Sequence, residues 1–147
     1  MKSILITGAA SGIGAATAKK LASKDVSLTL TTKSNLDGLK SVRQFAENKG
    51  AKVSYVCGDL SEKKFLEELV NLARNSTGNI DQFISNAGYA DKKEFGEFNN
   101  NDLNRSVQTM AISFSEIINL CIEDFKKSSC GRIIVISSFV NKSIGLN

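Results

Sequence analysis

The stretch Ile4-Leu5-Ile6-Thr7-Gly8-Ala9-Ala10-Ser11-Gly12-Ile13-Gly14 decides the fold, because it joins a short apolar run to three closely spaced glycines. The run Ile4–Ile6 is uninterrupted, as expected of a strand covered on both faces of a parallel sheet. The glycines lack β-carbons, so the backbone can turn tightly and a ligand can approach the main-chain N–H groups. The segment Ala15–Lys24 is rich in Ala, Lys and Leu, which favours a helix. We therefore predict a strand, a glycine-rich turn and a helix whose N-terminal N–H groups suit a phosphate.

Apolar and polar segments alternate along the rest of the chain in the order strand, helix, strand, helix. The predicted strands span residues 4–6, 26–32, 52–57, 80–85 and 132–137. Ser61 is the predicted N-cap of one intervening helix, and the residues from Val107 to Phe125 predict a long helix with a wide apolar face. This alternation predicts an α/β fold, a Rossmann-type doubly wound parallel sheet of five strands with helices on both faces. Ligands of such sheets bind beyond the carboxyl ends of the strands.

Length and composition are those of one globular domain. The chain has 147 residues, 41% of them hydrophobic, and a net charge of +4, and such a length supports a buried core. The charges are dispersed, so we expect no nucleic-acid partner, and no apolar run approaches the roughly 20 residues of a membrane span. We expect no signal peptide, because Met1 is followed almost directly by a strand. The chain has no His, and Cys57, Cys121 and Cys130 lack ligand spacing, so we predict no metal site and a reducing, cytoplasmic location.

The string Thr7–Gly14 resembles the cofactor-binding signature of the short-chain dehydrogenase/reductase family. Its glycines are spaced G-x-x-x-G-x-G after a Thr, which differs from the common dinucleotide pattern G-x-G-x-x-G. The resemblance implies a single NAD(P)-binding Rossmann domain over residues 1–147. It also implies that the turn residues bind the cofactor, namely Gly8, Ser11, Gly12, Ile13 and Gly14. A tight strand-to-helix turn without a ligand is the alternative.

The end of the second strand discriminates between two nicotinamide cofactors. A carboxylate there binds the ribose 2′-hydroxyl of NAD, whereas a cation suits the 2′-phosphate of NADP. The strand ends in Thr31-Thr32-Lys33-Ser34, and no acidic residue occurs between Val26 and Ser34. Lys33 can act as a point charge on a phosphate. We therefore predict NADP, with NAD as the alternative cofactor and an ordinary surface Lys as the competing interpretation of Lys33.

Two further motifs follow the third and fourth strands. In Gly58-Asp59-Leu60 the Asp could simply cap the next helix, whereas the family resemblance implies that Asp59 and Leu60 contact the adenine. Ser85-Asn86-Ala87-Gly88 resembles the N-A-G element of the family, with a plain turn as the alternative. That resemblance implies small residues close to the cofactor and an Asn that helps to tie the sheet together, and it adds three residues to the cofactor-binding set: Asn86, Ala87 and Gly88.

The segment Arg132–Ser138 resembles the fifth strand of the family, which carries the active-site serine, and Ser138 is the catalytic residue by that match. In the family this hydroxyl hydrogen-bonds the substrate carbonyl. A Tyr passes the proton, and a Lys four residues after the Tyr lowers its pKa. The resemblance thus implies hydride transfer between NADP(H) and a small carbonyl or alcohol substrate, with general acid–base help.

The sequence departs from the family after Ser138, because only nine residues follow and none is Tyr. The segment Tyr89–Lys93 satisfies Y-x-x-x-K by count, but we reject it because it precedes Ser138 and directly follows the fourth strand. The structural Asn of the family falls near Met110. We therefore interpret the chain as the cofactor half of the family fold, truncated before the catalytic Tyr/Lys helix.

Two functions remain open from the sequence. The first is an NAD(P)-dependent short-chain oxidoreductase represented by its nucleotide-binding portion, and the second is a non-catalytic dinucleotide-binding or sensor module. Residues Ile133–Ile136 are predicted to lie on an exposed sheet edge, which invites pairing with another chain. We accordingly expect a homo-oligomer, or association with a missing C-terminal segment.

Overall fold

Five parallel strands form one sheet in the computed structural model, which describes residues 1–88, 97 and 99–137. The strands are β1 (Lys2–Ile6), β2 (Val26–Thr32), β3 (Lys52–Cys57), β4 (Gln82–Ser85) and β5 (Arg132–Val135). Their order in the sheet is β3-β2-β1-β4-β5, and every neighbouring pair is parallel. The chain winds outward from β1 to β3, then crosses back to β4 on the other side of β1. The predicted doubly wound fold is therefore confirmed, with its switch point between β1 and β4.

Helices cover both faces of this sheet, as predicted. They are α1 (Gly12–Leu21), α2 (Leu36–Asn48), α3 (Lys63–Thr77), α4 (Asn100–Val107) and α5 (Ser113–Lys127). A π-helical turn, Gln108–Ile112, joins α4 to α5. α1 and α2 contribute to one apolar cluster against the sheet, and α3 and α5 contribute to a second cluster on the opposite face.

Strand β1 explains why the sheet is covered on both sides. Ile4 and Ile6 belong to the cluster under α1 and α2, whereas Leu5 between them belongs to the cluster under α3 and α5. All three side chains are at most 1% exposed. Each such burial contributes about 1.5–3 kcal/mol relative to an exposed side chain. The uninterrupted apolar run is thus required, because a polar residue at any of these positions would face one of the two cores.

The start of α3 differs from the predicted one, and Ser61 is not its N-cap. The N-cap is Glu62, which makes no side-chain capping bond. Ser61 donates its backbone N–H and its hydroxyl to Asp59 Oδ1, over 3.0 and 2.9 Å. Asp59 therefore forms a local turn after β3, of the kind that Asp side chains favour, and the helix begins one residue later than predicted.

The predicted long helix is interrupted and less buried than its apolar pattern suggests. The π-helical turn lies within it, and only Ser113, Ile117 and Cys121 of α5 are buried. Val107 and Met110, which were predicted to belong to the apolar face, are each 42% exposed. The extra residue in a π-helical turn shifts the following side chains around the axis, so the apolar face before the turn does not continue into the face that contacts the sheet.

Other element boundaries shift by a few residues. α1 begins at Gly12 instead of Ala15 and ends at Leu21, because the Ala15 N–H already donates to the Ser11 carbonyl. β4 begins at Gln82 rather than residue 80, and β5 ends at Val135 rather than Ser137. None of the described helices is both long and apolar enough to cross a membrane.

Strand β5 forms one edge of the described sheet, with apolar side chains exposed on both of its faces. Ile133 and Ile134 are each 40% exposed, and Val135 is 54% exposed. An edge strand also offers unpaired backbone N–H and C=O groups to any other strand. The described structure therefore presents an apolar, pairing-competent edge.

We predict that the purified 147-residue chain self-associates at micromolar concentration and that Val135→Lys shifts it toward monomer. A charged side chain on an edge strand opposes strand pairing. Sedimentation velocity measures the change, with Ser129→Lys in the exposed turn before β5 as a control of equal charge. A wild-type chain that sediments as a monomer and melts cooperatively would contradict the prediction.

Candidate functional site

A cleft with a volume of about 700 Å³ opens at the carboxyl ends of the strands. Loops after all five strands reach it, and one face of the helical segment around α4 closes it. The lining residues are Gly8, Ala10, Ser11, Gly12, Ile13, Thr31, Thr32, Lys33, Gly58, Asp59, Leu60, Asn86, Ala87, Gly88, Arg105, Thr109 and Ile136. The cleft spans the β1–β4 switch point, which is where sheets of this type bind ligands. Its size suits a small organic ligand or cofactor.

The turn after β1 requires glycine at two positions that line the cleft. Gly8 and Gly12 have φ values of +66° and +53°, in the left-handed region that favours glycine. A β-carbon on Gly8 would lie 2.9 Å from Ala87 Cα, so the turn and the loop after β4 approach each other closely. A β-carbon on Gly12 would meet nothing within 4 Å. Space is therefore open above the first turn of α1, where N–H groups and the helix dipole favour an anion.

Gly14, the third glycine of the motif, has a packing role. It is buried and does not line the cleft. A β-carbon there would collide with the Gly8 carbonyl oxygen and lie 2.5 Å from Asn86 Nδ2. Gly14 therefore allows α1 to lie directly against the turn. Gly14 was predicted to bind the cofactor, but it does not line the cleft.

Asn86 fastens the loop after β4 to the turn after β1. Its Nδ2 donates to the carbonyl oxygens of Thr7 and Gly8, over 3.1 and 3.0 Å. In return, Thr7 Oγ1 accepts the backbone N–H groups of Asn86 and Ala87, both over 3.1 Å. We refer to these four hydrogen bonds between Thr7, Gly8, Asn86 and Ala87 as the Thr7–Asn86 clasp. The sequence analysis assigns no role to Thr7, although its position directly before the first glycine is a usable signal.

Lys33 and Asp59 form an ion pair at the end of the cleft near β2 and β3. Lys33 Nζ lies 2.5 Å from Asp59 Oδ2, with the two side chains 56% and 25% exposed. The hydrogen bond from Lys33, followed by that from the Ser61 backbone, lowers the pKa of Asp59 to about 2. Asp59 is therefore ionised at neutral pH, and its charge is opposed directly to that of Lys33. The sequence placed both residues at the site but did not predict that they contact each other.

The helical segment around α4 contributes two lining residues that sequence reasoning missed. Arg105 and Thr109 stand four residues apart, so they share a helix face, and both line the cleft. The sequence predicts a polar loop and a long helix in this region, with Asn86, Ala87 and Gly88 at the site but no role for Arg105 or Thr109. Their spacing alone was an insufficient signal, because every helix has such pairs.

Met110 packs against the loop after β4. A β-carbon on Gly88 would lie 3.2 Å from Met110 Sδ. The position that the resemblance assigns to a structural Asn is thus close to the N-A-G element, but it carries a thioether, which is a weak hydrogen-bond acceptor and no donor. The predicted catalytic residue Ser138 and the rejected Tyr89 both lie outside the described residues.

Comparison with protein families and curated proteins extends these observations. A model of the short chain dehydrogenase family matches residues 2–145. An uncharacterized oxidoreductase of Saccharomyces cerevisiae is 29% identical over 140 residues, covering 93% of this chain and 53% of that protein. The NADPH-dependent reductase BacG of Bacillus subtilis is 27% identical over 148 residues, covering 99% of this chain and 57% of that protein. The chain thus spans about half the length of these curated relatives.

Solved structures show the same arrangement. A double mutant of a Serratia marcescens short-chain dehydrogenase/reductase matches with a TM-score of 0.89 and 26% identity, covering 99% of this chain and 58% of the other. An alcohol dehydrogenase from the archaeon Thermococcus sibiricus, complexed with 5-hydroxy-NADP, matches with a TM-score of 0.86 and 26% identity, covering 98% of this chain and 61% of the other. The family model and the solved structures therefore match nearly the whole chain. This chain belongs to the short chain dehydrogenase family.

Proposed function

We propose that this chain binds NADP(H) in the cleft and forms the cofactor-binding part of an oxidoreductase acting on a small carbonyl or alcohol substrate. The observation that carries the proposal is the open space over Gly12 at the N-terminus of α1, within a cleft at the switch point of the sheet. Two relatives support the choice of cofactor, since BacG is described as NADPH-dependent and the T. sibiricus enzyme is complexed with an NADP derivative.

The residues of the turn after β1 suit the pyrophosphate of a dinucleotide. Ser11, Gly12 and Ile13 are exposed at the start of α1, and the Ser11 side chain makes no capping hydrogen bond. The first N–H groups of a helix have no partner within it, so they are available to phosphate oxygens. In this proposal the backbone of the turn holds the pyrophosphate, and Gly12 keeps the approach clear.

The two ends of the cleft suit the two ends of the cofactor. Asp59 and Leu60 border the end near β3 and are assigned to the adenine, while Lys33 is assigned to the 2′-phosphate. Asn86, Ala87 and Gly88 line the middle, beside the turn after β1. The remaining end lies beyond β4 and β5, where Ile136 lines the cleft, and is assigned to the nicotinamide. When bound, the reduced cofactor would donate a hydride to a carbonyl and the oxidised cofactor would accept one from an alcohol, while this chain's residues would bind and orient the cofactor.

Ser138 is assigned the role of hydrogen-bonding the substrate oxygen, on the resemblance of Arg132–Ser138 to the family's fifth strand. The second function, a dinucleotide-binding module without catalysis, is favoured by Met110, which packs on Gly88 where the resemblance expects an Asn. A longer reading frame that supplies Y-x-x-x-K after Ser138 would favour the oxidoreductase. The natural length of the polypeptide, measured as the intact mass of the protein from its source, discriminates between the two.

Gly12→Asn should weaken NADPH binding by about tenfold or more while the chain stays folded. Asn tolerates the left-handed conformation better than other non-glycine residues, and its side chain would occupy the open space that the pyrophosphate needs. Isothermal titration measures the affinity. Gly78→Asn is the matched control, because Gly78 also has a positive φ of +83° and open space around it but lies at the end of α3. Unchanged affinity in a folded Gly12→Asn variant would contradict the assignment.

Lys33→Ala should reduce affinity for NADPH about two- to fivefold more than affinity for NADH. An exposed ion pair contributes about 0.2–1 kcal/mol, and a tenfold affinity change corresponds to about 1.4 kcal/mol. The control is Lys40→Ala, which removes an exposed Lys of α2 that does not line the cleft. A wild-type chain that prefers NADH would show Lys33 to be an ordinary surface residue.

The purified 147-residue chain should bind cofactor but not turn over carbonyl substrates. No Tyr follows Ser138 to donate a proton, and general acid–base catalysis contributes about 10²–10⁴-fold. NADPH oxidation, followed by absorbance with a panel of aldehydes and ketones, measures this. Robust oxidation that Tyr89→Phe abolishes would show that the rejected Tyr89–Lys93 segment is catalytic.

A further inference from the structure

The loops after β2 and β3 hold Lys33 and Asp59 side by side. β2 and β3 are paired in parallel up to Thr32 and Cys57, and the Gly58 N–H donates to the Thr32 carbonyl oxygen over 3.0 Å. The two chains therefore remain adjacent just beyond the strands, which brings Lys33 Nζ to 2.5 Å from Asp59 Oδ2. Both residues line the cleft, so the ion pair is part of the wall that a ligand meets.

Of the two side chains, Asp59 is the fixed partner. Its Oδ1 accepts the backbone N–H and the hydroxyl of Ser61 over 3.0 and 2.9 Å. Its side chain is 25% exposed, compared with 56% for Lys33. Lys33 is held only at the end of a long, flexible stem, whereas the carboxylate is braced by its own turn. The position of the Lys33 ammonium group is therefore set by Asp59.

We propose that Asp59 is a selectivity-determining residue that limits the preference for NADP(H), because it competes with the 2′-phosphate for Lys33. The inference rests on the proposed binding of a nicotinamide dinucleotide in this cleft. It differs from the role that the family resemblance gives to Asp59, which is contact with the adenine.

Charge explains the direction of the effect. A 2′-phosphate placed near Lys33 would also lie near the Asp59 carboxylate, so repulsion from Asp59 offsets part of the attraction by Lys33. A cofactor with a free 2′-hydroxyl leaves the ion pair intact and experiences neither effect. The present pair therefore gives a weaker preference for NADPH over NADH than Lys33 would give without Asp59.

The ratio of the dissociation constants for NADH and NADPH isolates this effect. Both cofactors carry the same adenine, so a direct contact of Asp59 with the adenine alters both constants equally and cancels in the ratio. Only an interaction with the 2′-substituent changes the ratio. If Asp59 had a purely structural role, replacing it would lower both affinities and the melting temperature together, and the ratio of the dissociation constants would not change.

The experiment measures both dissociation constants by isothermal titration for the wild-type chain, Asp59→Asn, Lys33→Ala/Asp59→Asn and the control Glu62→Gln. Asn retains an acceptor for the Ser61 hydrogen bonds. Glu62 is exposed, does not line the cleft and lies three residues from Asp59, so its variant removes the same charge elsewhere. We expect the ratio to rise about threefold or more in Asp59→Asn, to fall back to the wild-type value or below it in the double variant and to stay unchanged in Glu62→Gln.

An unchanged or lower ratio in Asp59→Asn overturns the inference, as does an equal rise in Glu62→Gln or a rise that persists in the double variant. If Asp59→Asn does not fold, as judged by its melting curve, Asp59→Ser carries the same expectation, because Ser removes the charge and keeps a short acceptor. Failure of the wild-type chain to bind either cofactor would instead overturn the proposed function. Normal binding of both with an unaltered ratio would overturn the inference alone.

Discussion

The Thr7–Asn86 clasp is the constraint on which the site depends. Parallel neighbours in this sheet come from distant parts of the chain, and β1 and β4 are separated by the whole β2–α3 segment. The clasp joins the ends of these two strands with four hydrogen bonds, all between 3.0 and 3.1 Å. Each bond contributes only about 0.5–1.5 kcal/mol. The clasp matters mainly for geometry. It fixes the two walls of the cleft at the switch point and leaves the N–H groups at the start of α1 unused.

The glycines around the clasp serve different needs, although they form one motif in the sequence. Gly8 and Gly14 leave room for protein atoms, since added β-carbons would press against Ala87, Asn86 or the Gly8 carbonyl. Gly12 leaves room for something outside the protein, because no protein atom lies near its absent β-carbon. The clasp therefore explains two glycines as packing requirements. Gly12 is explained by its left-handed backbone conformation and, beyond that, only by a ligand.

The sequence predicted the fold well where local composition and burial agree. β2 and β3 have the predicted boundaries, because their β-branched residues lie in strands covered by helices. Prediction from the sequence failed where a residue contacts a partner that is distant in the chain and where a helix is irregular. The Lys33–Asp59 pair joins two loops 26 positions apart (59 − 33), and Ser61 serves Asp59 instead of α3. The π-helical turn at Gln108–Ile112 has no signature in apolar periodicity. Site residues were found where motifs mark them, whereas Arg105 and Thr109 carry no motif.

Burial separates the binding part of the site from the part assigned to chemistry. The strands that bear the turn after β1 and the clasp are anchored in two apolar clusters, with Ile4, Leu5 and Ile84 at most 2% exposed. Every residue of β5 is exposed, and so are Ile136 and Ser137 beyond it. Because β5 buries so little apolar surface, the described part of the fold contributes little hydrophobic free energy to its stability. The described structure therefore anchors the proposed binding part of the site in two apolar clusters, whereas the described residues bury little of β5.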